Sequence, residues 1–282
     1  MNRAPIFKPE ARLDERPDLR GRFLRLNDAK VRMPAGVGSI RPRLLAFPFA
    51  GGSCLALRSV LSRLELPIDI WGVEYPGRGL RSNELPVARL DALVDEITVG
   101  ICCDGVPTLL LGYSFGALVA YEVALRLCSS PTTRLLGLIA ISAKAPHFAA
   151  SSFQSHALPD RELITYLRRL DGTAPEILDN ANLIEQFLPA IRADLCAYET
   201  YGRNARFALG CPVAAIRGSH DPFVEAAHAQ AWHEYGIHAE FRCLEVAAGH
   251  FCHRDAPETL SRLLDSLAGS LVQSPIDQFQ DA

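Results

Sequence analysis

From Arg43 onward, short apolar runs alternate with longer stretches in which apolar residues recur every three or four positions. The runs are Leu44–Phe49, Ile68–Tyr75, Thr108–Tyr113, Leu135–Ser142, Val213–Arg217 and Glu240–Val246. They have the length of strands, and most are continuously apolar, as strands buried on both faces of a parallel sheet must be. Helices are predicted between them at about 54–64, 87–103, 115–128 and 225–235, and from Pro257 to about Leu271. This alternation predicts an α/β fold, a mostly parallel, doubly wound sheet with helices on both faces.

One interval breaks the rhythm. Between Ser142 and Pro212 no run looks like a strand, while Leu163, Ile164, Leu167 and Leu170 share one helical face. Leu188, Ile191, Leu195 and Tyr198 repeat at the same spacing, and Pro189 is expected in the first turn of its helix, since mid-helix it would break it. A helical insertion at about 146–206, so late in the sheet, is expected to form a lid over the active-site edge; the alternative is extra packing elsewhere. Positions 1–40 are charged, with Phe23, Leu24, Leu26, Val31 and Met33 as the residues able to pack. They predict an exposed leader with one or two edge strands, followed by a single domain over 41–282.

Bulk properties narrow the function. With 49% hydrophobic and 22% charged residues, the chain has the profile of an ordinary globular enzyme. A net charge of −3 argues against nucleic acid as a partner, because neutralising phosphates takes a surplus of Lys and Arg. Residues Met1–Arg22 contain no apolar core of a signal peptide, and no apolar stretch approaches the ~18 residues of a membrane span, so no membrane partner and a cytoplasmic location are expected. The eight cysteines lack the spacing of a zinc site and are expected as small buried residues of a reduced protein.

The chemistry starts at Gly112-Tyr113-Ser114-Phe115-Gly116, a G-x-S-x-G pattern that follows one apolar run and opens a helical stretch. That strand–turn–helix setting makes Ser114 the candidate nucleophile, exposed on a strained turn with a helix N-terminus behind it. A serine hydroxyl needs a base and an orienting carboxylate, which in this architecture follow in the order acid, then His, on loops after later strands. Asp221, in Gly218-Ser219-His220-Asp221-Pro222, and His250, in Ala248-Gly249-His250-Phe251, occupy those places. His220 and His253 are rivals for the base. His250 is preferred because it directly follows the last strand and because Gly249 supplies a turn to aim it, whereas His253 is expected as a cap or surface residue. The loop Phe47-Pro48-Phe49-Ala50-Gly51-Gly52-Ser53 follows the first strong strand. It is expected to supply one oxyanion-hole N–H from Ala50, or from Phe49 if the register shifts, with the second from Phe115.

Taken together, these residues resemble the stand-alone type II thioesterases that accompany nonribosomal peptide and polyketide synthetases. Phe47-Pro48-Phe49-Ala50-Gly51-Gly52 is similar to the family's F-P-[HFY]-A-G-G loop, and Tyr75-Pro76-Gly77-Arg78-Gly79-Leu80-Arg81 to its P-G-R-x-x-R segment. Leu188-Pro189-Ala190-Ile191-Arg192-Ala193-Asp194 resembles its L-P-x-[IL]-R-[AS]-D signature, and Ser142–His147 the strand end before its cap. Gly249-His250-Phe251 matches its G-G-H-F turn with Ala248 in place of the first glycine; Cys252-His253 and a longer leader are further departures.

The resemblance implies an α/β-hydrolase that removes acyl groups from the phosphopantetheine arm of carrier domains, as an editing step, with no metal or organic cofactor. Carrier domains are acidic near that arm, so Arg168, Arg169 and Arg203 are the candidate docking residues. The rival readings are a small-molecule esterase or an acyltransferase with the same triad, and a carrier-binding module without turnover, against which the complete Ser/Asp/His set argues.

Overall fold

The computed structural model describes residue 13 and residues 21–27, 40–101, 104–129, 133–149, 153–173, 175–202, 206–236 and 241–273. Seven strands pair into one sheet: β1 (Phe23–Arg25), β2 (Arg43–Phe47), β3 (Asp69–Val73), β4 (Thr108–Tyr113), β5 (Leu135–Ile141), β6 (Val213–Gly218) and β7 (Arg242–Val246). Their spatial order is β1-β3-β2-β4-β5-β6-β7. All neighbours run parallel except β1, which lies antiparallel along β3 with Phe23 opposite Val73. An edge strand from the leader was expected, and β1 is it; Leu26, just after it, is buried, and Val31 and Met33 lie outside the described residues.

Side chains alternate across the strands, so the sheet feeds two cores. Leu45, Phe47, Leu110, Leu138 and Val213 pack on one face against α2 (Leu90–Thr98) and α3 (Phe115–Cys128). Leu44, Ala46, Leu109, Leu111, Ile139 and Ala214 pack on the other against α1 (Arg58–Leu61) and the last helix, α9 (Pro257–Gln273). With both faces covered, the strands carry no polar face, which explains the continuous apolar runs. The first predicted helix is shorter than its pattern: a 3-10 turn, Cys54–Leu57, leads into α1, which ends at Leu61. Likewise 225–235 divides into α7 (Ala226–Gln230) and a 3-10 turn, Ala231–Tyr235.

Between β5 and β6 the described chain is helical: α4 (Asp160–Leu170), α5 (Pro175–Leu178) and α6 (Ala181–Glu199). Leu163, Leu167, Leu178, Ile184, Leu188, Ile191 and Leu195 form a third apolar cluster, separate from both sheet cores. Pro189 does not open a helix as expected. It sits inside α6, where it removes one backbone donor at a cost of about 3 kcal/mol. Burial of Leu188, Ala190, Ile191, Ala193 and Leu195 around it keeps the helix continuous. The cysteines are also less uniform than expected: Cys54, Cys211 and Cys252 are buried, but Cys128 is exposed. No described helix is long and apolar enough to cross a membrane.

Candidate active site

Ser114 stands between β4 and α3 with φ 53° and ψ −117°, a backbone conformation that an L-residue adopts only under strain. The flanking glycines permit it. A Cβ on Gly112 would lie 2.2 Å from the Cα of Ala117, and one on Gly116 would lie 2.2 Å from the carbonyl oxygen of Phe47. The turn is this tight because α3 starts beneath the serine and crosses the end of β2, so the spacing of the motif is a packing requirement.

Asp221 follows β6 and His250 follows β7, as the order of strands requires. His250 Nδ1 lies 2.7 Å from Asp221 Oδ2, and its Nε2 lies 3.1 Å from Ser114 Oγ. With the proton on Nδ1, the ring donates to Asp221 and accepts from the serine hydroxyl. The carboxyl side chain of Asp221 is wholly buried, and its other oxygen accepts from the N–H groups of Phe223 (2.8 Å) and Val224 (3.1 Å). Three donors therefore fix the orientation of the carboxylate.

Neither Gly249 nor the surroundings of His253 match expectation. Gly249 has no left-handed φ, and a Cβ there would meet only Asp255 Oδ2, at 3.7 Å. The close approach belongs to Gly218, whose Cβ would lie 2.2 Å from the carbonyl oxygen of Gly249. His250 is aimed by Asp221 and by Tyr113, whose hydroxyl donates to the His250 carbonyl at 2.6 Å. His253 is not a cap and is half-buried instead of exposed: its ring packs among Tyr113 (5.0 Å), Phe49 (5.2 Å) and Phe251 (5.9 Å). Burial, with Arg254 nearby, lowers its pKa to about 4, so it is neutral and apolar in use. His220 is exposed.

Ala50 and Phe115 line one cavity with Ser114 and His250. Phe115 is the first residue of α3, whose opening N–H groups have no partner within the helix. Gly52 donates to the carbonyl of Phe49 at 2.9 Å, closing the turn that carries Ala50. The cavity measures about 280 Å³, with Leu167, Leu170, Ile191, Leu195 and Tyr198 of α4 and α6 forming its wall opposite the serine.

Sequence reasoning missed several polar residues that build this wall. Glu199, at the end of α6, accepts from the backbone N–H groups of Ser155 and His156 (both 3.1 Å) and pairs with His156 Nδ1 at 2.6 Å. Arg78 and Asp194 form a buried bidentate pair at 2.5 and 2.9 Å. Their motifs were visible, but nothing in either motif says that one closes on the other across 116 positions. Of the three arginines expected at the entrance, Arg168 is exposed but engaged by Asp179 Oδ1 (2.6 Å) and the Leu178 carbonyl (3.1 Å). Arg169 is exposed, and Arg203 lies outside the described residues.

Comparison with known proteins agrees with this geometry. Residues 42–267 match the thioesterase domain family. A probable cadicidin biosynthesis thioesterase of Streptomyces griseus is 31% identical over 271 residues, covering 91% of this chain and 73% of that one. The linear gramicidin dehydrogenase LgrE of Brevibacillus parabrevis is 30% identical over 233 residues, covering 81% of this chain and 88% of that one. Among solved structures, the type II thioesterase BorB from the borrelidin biosynthetic cluster superposes with a TM-score of 0.73 at 31% identity, covering 88% of this chain and 97% of that one.

Proposed function

The chain belongs to the thioesterase domain family and has the α/β-hydrolase fold, and from that premise we propose that it hydrolyses acyl thioesters on the phosphopantetheine arm of carrier domains, through Ser114. The observation that carries this reading is the unbroken line from buried Asp221 through His250 to Ser114 at the floor of a largely apolar cavity. Its direction toward carrier domains rests on relatives whose names place them in cadicidin and borrelidin biosynthesis.

Ser114 Oγ attacks the thioester carbonyl while His250 Nε2 takes its proton. The carbonyl oxygen becomes an oxyanion, for which the N–H groups of Ala50 and Phe115 are the proposed donors, each worth roughly 3 kcal/mol of barrier. The C–S bond then breaks and the sulfur leaves as a thiol with the proton that His250 held. Water, deprotonated by the same nitrogen, adds to the acyl-serine, and the carboxylic acid departs as Ser114 recovers its proton. Asp221 keeps Nδ1 protonated throughout and stabilises the imidazolium. The name of LgrE states a different reaction; hydride transfer has no step for an acyl-serine, so the site favours hydrolysis.

An acyl-pantetheine hydrolysis assay tests the proposal. Wild type should turn over, and Ser114→Ala should lose on the order of 10⁴-fold or more in kcat with an unchanged melting temperature. Retention of several per cent of wild-type turnover by that variant would remove Ser114 from the role.

A further inference from the structure

Two buried charges outside the reacting set lie where α6 meets the loop that carries Ala50. Arg78 and Asp194 are 5% and 2% exposed, which takes both out of solvent. Each also makes one hydrogen bond to the loop backbone. Asp194 Oδ2 accepts from the N–H of Gly51 at 2.7 Å, and Arg78 Nη1 donates to the carbonyl of Gly52 at 3.3 Å. The guanidinium also lies 5.2 Å over the ring of Tyr75, whose hydroxyl donates to the Pro48 carbonyl at 3.3 Å. Pro48, Gly51 and Gly52 are thus each gripped on a backbone atom by one small cluster.

The consequence for Ala50 follows from peptide geometry. The carbonyl of Phe49 and the N–H of Ala50 belong to one trans peptide plane and point in opposite directions. Gly52 holds that carbonyl, so the direction of the Ala50 N–H is set by where Gly51 and Gly52 are fixed. Gly51 has φ +73° and takes its place directly against α6, where a Cβ would lie 2.5 Å from Ile191 Cγ1. The helix that walls the cavity therefore touches the loop through Ile191 and Asp194 together.

Stability alone does not account for such a pair. Buried ion pairs are often replaceable by apolar residues without loss, and here Arg78 Nε remains buried with no partner among the described residues. We propose that Arg78 and Asp194 are positioning residues for the thioesterase reaction: they orient the Ala50 N–H toward the oxyanion and make that orientation depend on α6 being seated. The inference rests on the function proposed above.

The test compares wild type, Ser114→Ala and the double variant Arg78→Met with Asp194→Leu, which removes both charges and keeps apolar bulk. Acyl-pantetheine hydrolysis supplies kcat and KM, and an alkyl boronic acid, which adds to the serine as a tetrahedral oxyanion mimic, supplies a binding constant. The double variant should stay folded, lose roughly 10- to 100-fold in kcat, keep KM within about twofold and lose boronate affinity by a similar factor; complete deletion of one donor costs about 10²–10³. Wild-type kcat and boronate affinity in the folded double variant would overturn the inference, as would a rise in KM with kcat intact. If the double variant does not fold, Arg78→Lys decides, because a compact ammonium cannot grip the carboxylate bidentately and the Gly52 carbonyl at once. A fall in its kcat at constant KM upholds the inference, and an unchanged kcat overturns it. Turnover that does not depend on Ser114 would sink the functional reading itself; Ser114-dependent turnover that the double variant matches sinks the positioning role alone.

Discussion

At the carboxyl ends of the strands, the turn of Ser114 packs backbone to backbone on Phe47 and Pro48, and the loop of Asp221 on that of His250. Gly112, Gly116 and Gly218 each have another backbone atom 2.2 Å from where a Cβ would sit. Across the cavity, α4, α5 and α6 are held by side chains instead. Glu199 ties down Ser155 and His156, Arg192 reaches the Leu158 carbonyl (2.8 Å) and Asp160 (2.6 Å), and Arg254 of α8 (Cys252–Asp255) pairs with Asp171 at 2.6 Å. The apolar cluster of these helices is their own. One half of the site is thus specified by steric exclusion, which is all-or-none. The other half is specified by ion pairs and packing, which can be weakened by degrees.

The largest expected effect attacks the steric half. Gly116→Ala should leave no cooperatively folded protein, because its methyl would have to displace the Phe47 and Pro48 carbonyls rather than a side chain. Gly249→Ala, in the loop of the histidine, should cost less than about 1 kcal/mol in urea unfolding and leave kcat within a few-fold, since its Cβ has room. Equal damage from the two would mean that the histidine loop is as tightly constrained as the elbow.

That contrast also explains what could be read in advance. The elbow, the strand order of Asp221 and His250 and the parallel sheet were legible because each obeys a local backbone rule that a few neighbouring residues spell out. Pro189 misled because the local rule, proline in a first turn, was overridden by burial along α6. His253 misled because a ring at a helix entry was expected to face solvent, while Phe49, from a loop some two hundred positions away, completes an aromatic cage around it. Arg78 with Asp194 was illegible for the same reason. Sequence names both residues, but only the seating of α6 on the Ala50 loop makes them partners.

A smaller effect is expected from the graded half. Leu163 is fully buried in the cluster of α4, α5 and α6, so Leu163→Ala should cost about 2–5 kcal/mol, confined to those helices. Hydrogen exchange should quicken in α4 and α6 while β4 and β5 keep their protection, and KM for an acyl-pantetheine should rise several-fold. Uniform loss of protection would show one cooperative unit and erase the difference between the two halves.

His253 offers a pH test at the border of the two halves. Its pKa is about 4 in the folded chain, against about 6.5 when unfolded. The unfolded chain binds the proton first, so the folded state is at its full stability above pH 6.5 and loses it as pH falls toward 4, by up to about 3 kcal/mol from this residue. His253→Phe should flatten that acid limb in denaturant titrations while preserving turnover at neutral pH. An acid limb of unchanged slope would mean that the ring is not held neutral by its cage.

The smallest effect concerns the rim, where the side-chain half would meet a partner. Arg168 is engaged by Asp179, so much of its charge is already answered. Arg169, one position on and exposed, is the better candidate for steering an acidic carrier domain toward the cavity. Rim charges act on the rate of encounter and its dependence on salt, and leave the chemical step alone. Arg169→Glu should therefore lower kcat/KM for an acyl-carrier domain by a few-fold at low ionic strength, and Arg168→Glu by less. Hydrolysis of a small acyl-pantetheine should be untouched in both, and the difference should shrink as salt is raised. If both substrates slowed together, the residues would act through the fold of α4 instead of through docking. If salt left the carrier reaction unchanged, docking would not be electrostatic, and Arg169 would lose its proposed role while the reading of Ser114, His250 and Asp221 stood.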